Sequence, residues 1–303
     1  MGSLRVLASD GMNKTAVQEL TKKGYDVVEQ FYAPEELGEQ LRNFDALVIR
    51  SATKVRKPII DKAAEAGRLK IVIRAGVGID NVDVEYAQSK GIIVKNTPNA
   101  STNSVAELVI GSLFSLARFV YDANQTMHEG KWEKKRYEGI EIAGKTLGVA
   151  GMGRIGRSVA KKAAALGMSV VYTDIVGHLP ENEPFKFMSL DEVLASSDFI
   201  TLHMGGADKP VLDAENFAKI KRGAFLINAA RGSLIDEAAL LAALESGQLA
   251  AAALDVFAEE PCKNEKIYTH PKILLTPHIG ASTVEAQSRI GDELVQIITG
   301  CFA

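Results

Sequence analysis

Short β-branched and apolar runs alternate with amphipathic stretches from one end of the chain to the other. In the first part the apolar runs are RVLAS (5–9), YDVVEQ (25–30), ALVIRS (46–51), KIVIRA (70–75) and IIVKNT (92–97). Helical spacing falls between them, around 13–22, 34–41, 58–66 and 83–89. Near-continuous apolar strands separated by helices predict a parallel sheet covered on both faces. Residues 1–97 are therefore read as one doubly wound α/β unit. A second series starts at TLGVAG (146–151) and continues through SVVYTD (169–174), FITLHM (199–204), AFLINAA (224–230), AAALDVF (251–257) and ILLTPH (273–278). Its helices are expected around 154–166, 190–196, 214–220 and 236–246, and a last helical pattern covers 282–299. The fold class is α/β, with two doubly wound parallel-sheet units.

Between the two series lies STNSVAELVIGSLFSLARFVYDANQTMHEG (101–130), which predicts more than twenty helical residues after a Ser101 or Thr102 cap. Its small and apolar residues fit a subunit or domain contact, and equally a connector packed inside one chain.

Composition adds exclusions. The 303 residues are 47% hydrophobic and 24% charged, with a net charge of −3, so nothing draws the chain toward nucleic acid or anionic lipid. Cys262 and Cys301 are the only cysteines, and no Cys-x-x-Cys pair suggests a metal cage or disulfide framework. No apolar run is long enough for a membrane span, and the N-terminus lacks a signal-like segment. A reduced, cytoplasmic setting is expected.

GVAGMGRIGRSVA (148–160) carries the first chemistry. Gly151 permits a tight turn, Gly153 lets backbone approach a pyrophosphate, and Gly156 packs helix on strand. The helix N-terminus then offers N–H groups and a positive dipole end to phosphate. The next strand ends in Asp174, 18 residues after Gly156. A carboxylate there accepts from ribose hydroxyls and repels a 2′-phosphate, which favours NAD over NADP.

Ligands of open α/β sheets sit outside the carboxyl ends of the strands. Arg231 in NAARGS, Glu260 in DVFAEEP and His278 in LLTPHIGAS all follow strands. Singly, each also fits an ion pair, a helix-start acid or a turn histidine. Together they suit hydride chemistry on an alcohol carbon. Histidine exchanges the hydroxyl proton, a carboxylate orients it, and a guanidinium grips a substrate carboxylate.

The ordered motifs GMGRIG, NAARGSLID, ALDVFAEEP and LLTPHIGAST resemble the D-isomer-specific 2-hydroxyacid dehydrogenases, over essentially the whole chain. The resemblance implies that Arg231, Glu260 and His278 are catalytic. It implies that Gly151, Gly153, Arg154, Ile155, Gly156, Asp174, His203, Ala229, Asp255 and His278 line NAD. It further implies a Rossmann-type NAD domain (98–280) inserted into a flavodoxin-like substrate domain (1–97 plus 281–303), with the site in the cleft between them, and a homodimer.

Within that family, IRSATKV (49–55), IRAGVGIDNVD (73–83), NTPNASTNSVAEL (96–108) and GKWEKKRYEGIEIAGKTLG (130–148) resemble the branch that oxidises D-3-phosphoglycerate, in its short form without regulatory domains. Arg50, Ser51, Arg74, Val77 and Gly78 are then expected at the substrate, with Arg50 and Arg74 on its phosphate and backbone N–H groups at 77–79 on its carboxylate. Lys134 matches a cationic position of that branch, although KWEKKR also reads as a solvated basic turn. The alternatives are reduction of glyoxylate or hydroxypyruvate, D-lactate oxidation, and an NAD-sensing scaffold. LHMGGAD (202–208) departs from the family's usual Leu-His-x-Pro, and His203 is expected to be structural or cofactor-proximal. No metal is expected.

Overall fold

A computed structural model describes residues 3–302. The chain divides into two compact units, one running to Ser101 and resuming at Ala281, the other spanning Thr102–Gly280.

The first unit holds strands β1 (Arg5–Ala8), β2 (Asp26–Glu29), β3 (Ala46–Ile49), β4 (Ile71–Arg74) and β5 (Ile93–Asn96), and helices α1 (Lys14–Lys22), α2 (Pro34–Gln40), α3 (Lys57–Glu65) and α4 (Val84–Ser89). Its sheet is wholly parallel in the order β2-β1-β3-β4-β5, the flavodoxin-like order. All four residues of β3 are buried, as expected of a strand covered on both faces. One face packs Leu37, Ile59 and Ile60 of α2 and α3. The other packs Ala16 and Leu20 of α1 against the chain's last helix, numbered below. Asn13 caps α1 through its side-chain oxygen.

The second unit begins with α5 (Thr102–Arg118) and α6 (Val120–His128). Then follow β6 (Thr146–Ala150), α7 (Arg154–Ala165), β7 (Ser169–Thr173), β8 (Lys186–Phe187), α8 (Leu190–Ser196), β9 (Phe199–Leu202) and α9 (Ala214–Lys219). The unit ends with β10 (Ala224–Asn228), α10 (Glu237–Glu245), β11 (Leu249–Leu254), α11 (Glu265–Tyr268) and β12 (Ile273–Leu275). The chain closes with α12 (Val284–Cys301), capped by Thr283 and belonging to the first unit. The seven-stranded order β12-β11-β10-β9-β6-β7-β8 is again parallel, and it reverses beside β6, the doubly wound dinucleotide-binding arrangement.

The single helix expected over 101–130 is broken. Phe119 takes the left-handed conformation at φ 52°, and α5 and α6 are bent by 67° at that residue. The two halves have different surroundings. Val109, Leu113 and Leu116 of α5 are buried against α7 and the sheet, which answers the connector reading for this half. No residue of α6 is buried, and Val120, Tyr121 and Met127 are more than half exposed. Among the described residues, no single helix is long and apolar enough to cross a membrane.

Candidate active site

The turn from β6 to α7 carries the glycine motif. Gly151 has φ +94°, and a Cβ on Gly156 would stand 2.1 Å from the Gly151 carbonyl oxygen. Only glycine permits that closeness of helix to turn. The α7 N-terminus has no side-chain cap, and nothing lies within 4 Å of where a Gly153 Cβ would be. An uncapped helix N-terminus with room beside its N-cap glycine is an anion-binding arrangement. Asp174, just past β7, accepts the Met152 N–H at 2.7 Å and the Val176 N–H at 3.1 Å. Its carboxylate is thereby oriented by the glycine turn itself. Arg154 is exposed and Ile155 partly buried against the core.

Arg231, Glu260 and His278 come from the segments after β10, β11 and β12. Asn228 shapes the first of these. Its Nδ2 donates to the Arg231 carbonyl at 2.8 Å and its Oδ1 accepts from Ala230 N–H at 3.0 Å. The following glycine lets this turn lie directly on the next segment, because a Cβ on Gly232 would fall 1.9 Å from the Phe257 carbonyl carbon. Glu260 Oε1 accepts the Phe257 N–H at 3.2 Å, and Oε2 meets His278 Nδ1 at 2.7 Å. Burial pushes the Glu260 carboxyl up. The hydrogen bond and charge of His278, the Phe257 N–H and the Arg231 charge outweigh it and hold the group below the usual carboxylate range. An ionised carboxylate only accepts, so the shared proton sits on His278 Nδ1. In the neutral imidazole, Nε2 then carries the lone pair. His278 stands three residues beyond β12 in the left-handed region, at φ 53°.

His203 follows β9. Its Nε2 lies 2.9 Å from Thr201 Oγ1, and burial pushes its imidazole down to about 4. It is therefore neutral at pH 7 and unsuited to donate a proton there. The unfolded chain takes up a proton near pH 6.5 that the folded one refuses until about 4, so folding stability is lost as pH falls through that window. Urea melts at pH 7 and pH 5 are expected to show the loss, and His203→Gln to flatten it. The departing loop after His203 rests on the Arg231 segment, with Ala207 N–H donating to Ser233 Oγ at 3.4 Å.

In the first unit, Arg74 ends β4 and Arg50 lies just past the end of its neighbour β3. Asp10 accepts the Arg50 N–H at 2.6 Å and the Thr53 hydroxyl at 2.6 Å, while Asn81 donates to the Arg50 and Thr53 carbonyls. The segment containing Ser51 is thus held from two sides. Asn96 Nδ2 donates to the Val77 carbonyl, which fixes the turn carrying Val77 and Gly78. Lys134 is exposed in a short 3₁₀ turn. Among the described residues, no group of His, Cys, Asp or Glu is placed to hold a metal.

The D-isomer specific 2-hydroxyacid dehydrogenase NAD-binding domain matches residues 110–280. This chain belongs to that family. The chain is 44% identical to a hydroxypyruvate reductase of Thermotoga maritima, over 98% of each chain. It is 43% identical to a D-3-phosphoglycerate dehydrogenase of Methanocaldococcus jannaschii, over 99% of this chain and 58% of that one. It thus spans little more than half of that relative's length. A glyoxylate reductase structure from Paecilomyes thermophila superposes with a TM-score of 0.90 at 31% identity, covering 99% of this chain and 95% of the other. The family is one of oxidoreductases using an NAD-type cofactor.

The candidate site is also held by residues whose part the motifs did not reveal. Asp255 is read from sequence as cofactor-lining, yet it is 4% exposed. Its carboxylate accepts the Thr276 hydroxyl at 2.6 Å and the Ile279 and Gly280 N–H groups at 2.8 Å each. It anchors the His278 turn on both sides. Asp10, Asn81 and Asn228 likewise hold loops. Their signal in the sequence is only a polar residue at a strand end. Ala229 is partly buried against the core. Cys262 packs against the apolar cluster below the Glu260 loop.

Proposed function

We propose that this dehydrogenase oxidises D-3-phosphoglycerate to 3-phosphohydroxypyruvate with NAD. The chemistry rests on one observation, the 2.7 Å Glu260–His278 pair beside the Arg231 turn. NAD fits the residues present. The uncapped α7 N-terminus would receive its pyrophosphate and Asp174 its adenosine ribose, with exposed Ile175 and Val176 beside it as an apolar platform. When bound, NAD supplies a two-electron hydride acceptor. Arg231 grips the substrate carboxylate in a bidentate hold and polarises the neighbouring C2 centre. His278 Nε2 takes the C2 hydroxyl proton as the ketone forms, and Glu260 stabilises the resulting imidazolium through Nδ1. In reduction the same proton returns from His278.

Arg50 and Arg74 support the phosphorylated substrate, because strand-end cations with fixed backbones suit a phosphate group. A second reading, reduction of hydroxypyruvate or glyoxylate, is favoured by the Thermotoga relative that matches over the full length of both chains. NADH oxidation at 340 nm with 3-phosphohydroxypyruvate, hydroxypyruvate, glyoxylate and pyruvate separates the two. The phosphorylated acid is expected to lead in kcat/KM, and Arg50→Ala or Arg74→Ala to remove the lead. Equal or better turnover of an unphosphorylated acid would overturn the phosphate assignment. A homodimer is part of the proposal, supported by the exposed apolar residues Val120, Tyr121, Met127 and Trp132.

A further inference from the structure

Glu237 opens α10, six residues after Arg231. Its carboxylate reaches across to the loop that carries Glu260. Oε1 accepts the Ala258 N–H at 3.2 Å, and Oε2 accepts Asn264 Nδ2 at 2.7 Å. Ala258 lies two residues before Glu260 and Asn264 four residues after it. The two bonds therefore bracket the acid. Asn264 occupies the N-cap position of α11 but makes no side-chain cap there. An Asn at that place ordinarily accepts from its own helix through Oδ1; here that bond is not made, and Nδ2 donates to Glu237. Between the two anchors, Cys262 packs on the apolar cluster, a non-directional contact. On the other side, Glu260 must meet a His278 held at a positive φ by Asp255. A small sideways slip of the loop would break a 2.7 Å contact.

We propose that Glu237 is a positioning residue for the Glu260–His278 pair: it ties both ends of the 258–264 loop to the helix that follows the Arg231 turn. Arg231 and Glu260 then move as one body, since Gly232 already seats the Arg231 turn on Phe257. The inference rests on the dehydrogenase reading above for its catalytic consequence, and on the hydrogen bonds alone for its structural one.

The test compares Glu237→Ala, Glu237→Gln and Asn264→Ala in the wild-type and Glu260→Gln backgrounds. Amide hydrogen exchange over 257–264 and steady-state turnover of the preferred 2-keto acid are read on the same preparations. Glu237→Ala is expected to speed exchange in that segment. It should also lower kcat about tenfold or more with KM for NADH unchanged, since a misplacement of ~1 Å costs on the order of 10²-fold. Glu237→Gln is expected to recover most of the loss. A glutamine still accepts from Ala258, and a turned Asn264 amide accepts from it. In the Glu260→Gln background, Glu237→Ala should lower kcat no further, because residues acting through one contact are not additive. Unchanged exchange in Glu237→Ala, or an equal loss with and without Glu260, overturns the proposal. Should Glu237→Ala fail to fold, Asn264→Ala, which removes one anchor and keeps Glu237, carries the same expectations. If the wild-type chain reduces none of the acids, the dehydrogenase reading fails, and the exchange comparison still decides whether Glu237 holds the loop.

Discussion

His278→Asn is expected to lower kcat by about 10²–10⁴-fold, the usual contribution of a positioned general acid–base, while leaving KM for NADH and the melting temperature near wild type. Asparagine is the informative choice. His278 sits at φ 53°, a conformation that asparagine adopts with less strain than most residues. The backbone turn and its three bonds to Asp255 should persist. What disappears is the ring nitrogen opposite Nδ1. Alanine would confound the loss of the base with backbone strain. Turnover within tenfold of wild type would exclude His278 as the proton carrier.

Gly232→Ala is expected to damage stability and turnover together. The new Cβ would lie 1.9 Å from both the carbon and the oxygen of the Phe257 carbonyl, and 2.5 Å from the Ala258 nitrogen. These are backbone atoms of two interlocked segments, so no flexible side chain can swing aside. The Arg231 turn and the Glu260 loop must separate. Overpacking of this kind costs about 1–3 kcal/mol or more. The separation moves the guanidinium and the carboxylate proposed to serve one substrate, so kcat/KM should fall on the order of 10²-fold. Gly111→Ala is the control. Nothing lies within 4 Å of a Cβ there, the residue is inside α5, and alanine favours a helix by up to about 1 kcal/mol over glycine. Calorimetry should show the control melting at or above wild type and Gly232→Ala below it. Equal melting and full activity in Gly232→Ala would contradict the interlocked arrangement.

The α/β fold was legible because buried parallel strands are apolar on both faces and therefore stand out as short continuous runs. β3 and β9 are buried at every position. β8 was missed because two residues at a sheet edge carry no period. The break at Phe119 was hidden for a different reason. No Gly or Pro marks it, and a Phe in the left-handed region is chosen by tertiary contacts, with its ring 6.0 Å from that of Tyr137. In the candidate site, residue types and their places pointed to Arg231, Glu260 and His278, since each is a chemically active side chain shortly after an apolar run. The groups that hold them were not legible. Asp255 reaches residues 21 to 25 positions away, and Glu237 reaches 27. Such pairings exist only once the sheet order is known.

Closing one face of the first sheet with α12 has a consequence for synthesis. Ala16 and Leu20 share a cluster with Ile290, Leu294 and Ile298. At about 5–20 residues per second, the oldest part of the chain waits on the order of tens of seconds for its partner to leave the ribosome. The second unit is contiguous in sequence, and its apolar clusters use no residue of α12. The order of maturation is thus inverted relative to the order of translation. Until α12 arrives, that face of the N-terminal sheet is covered by α1 alone, and the apolar residues that will meet Ile290, Leu294 and Ile298 stay open.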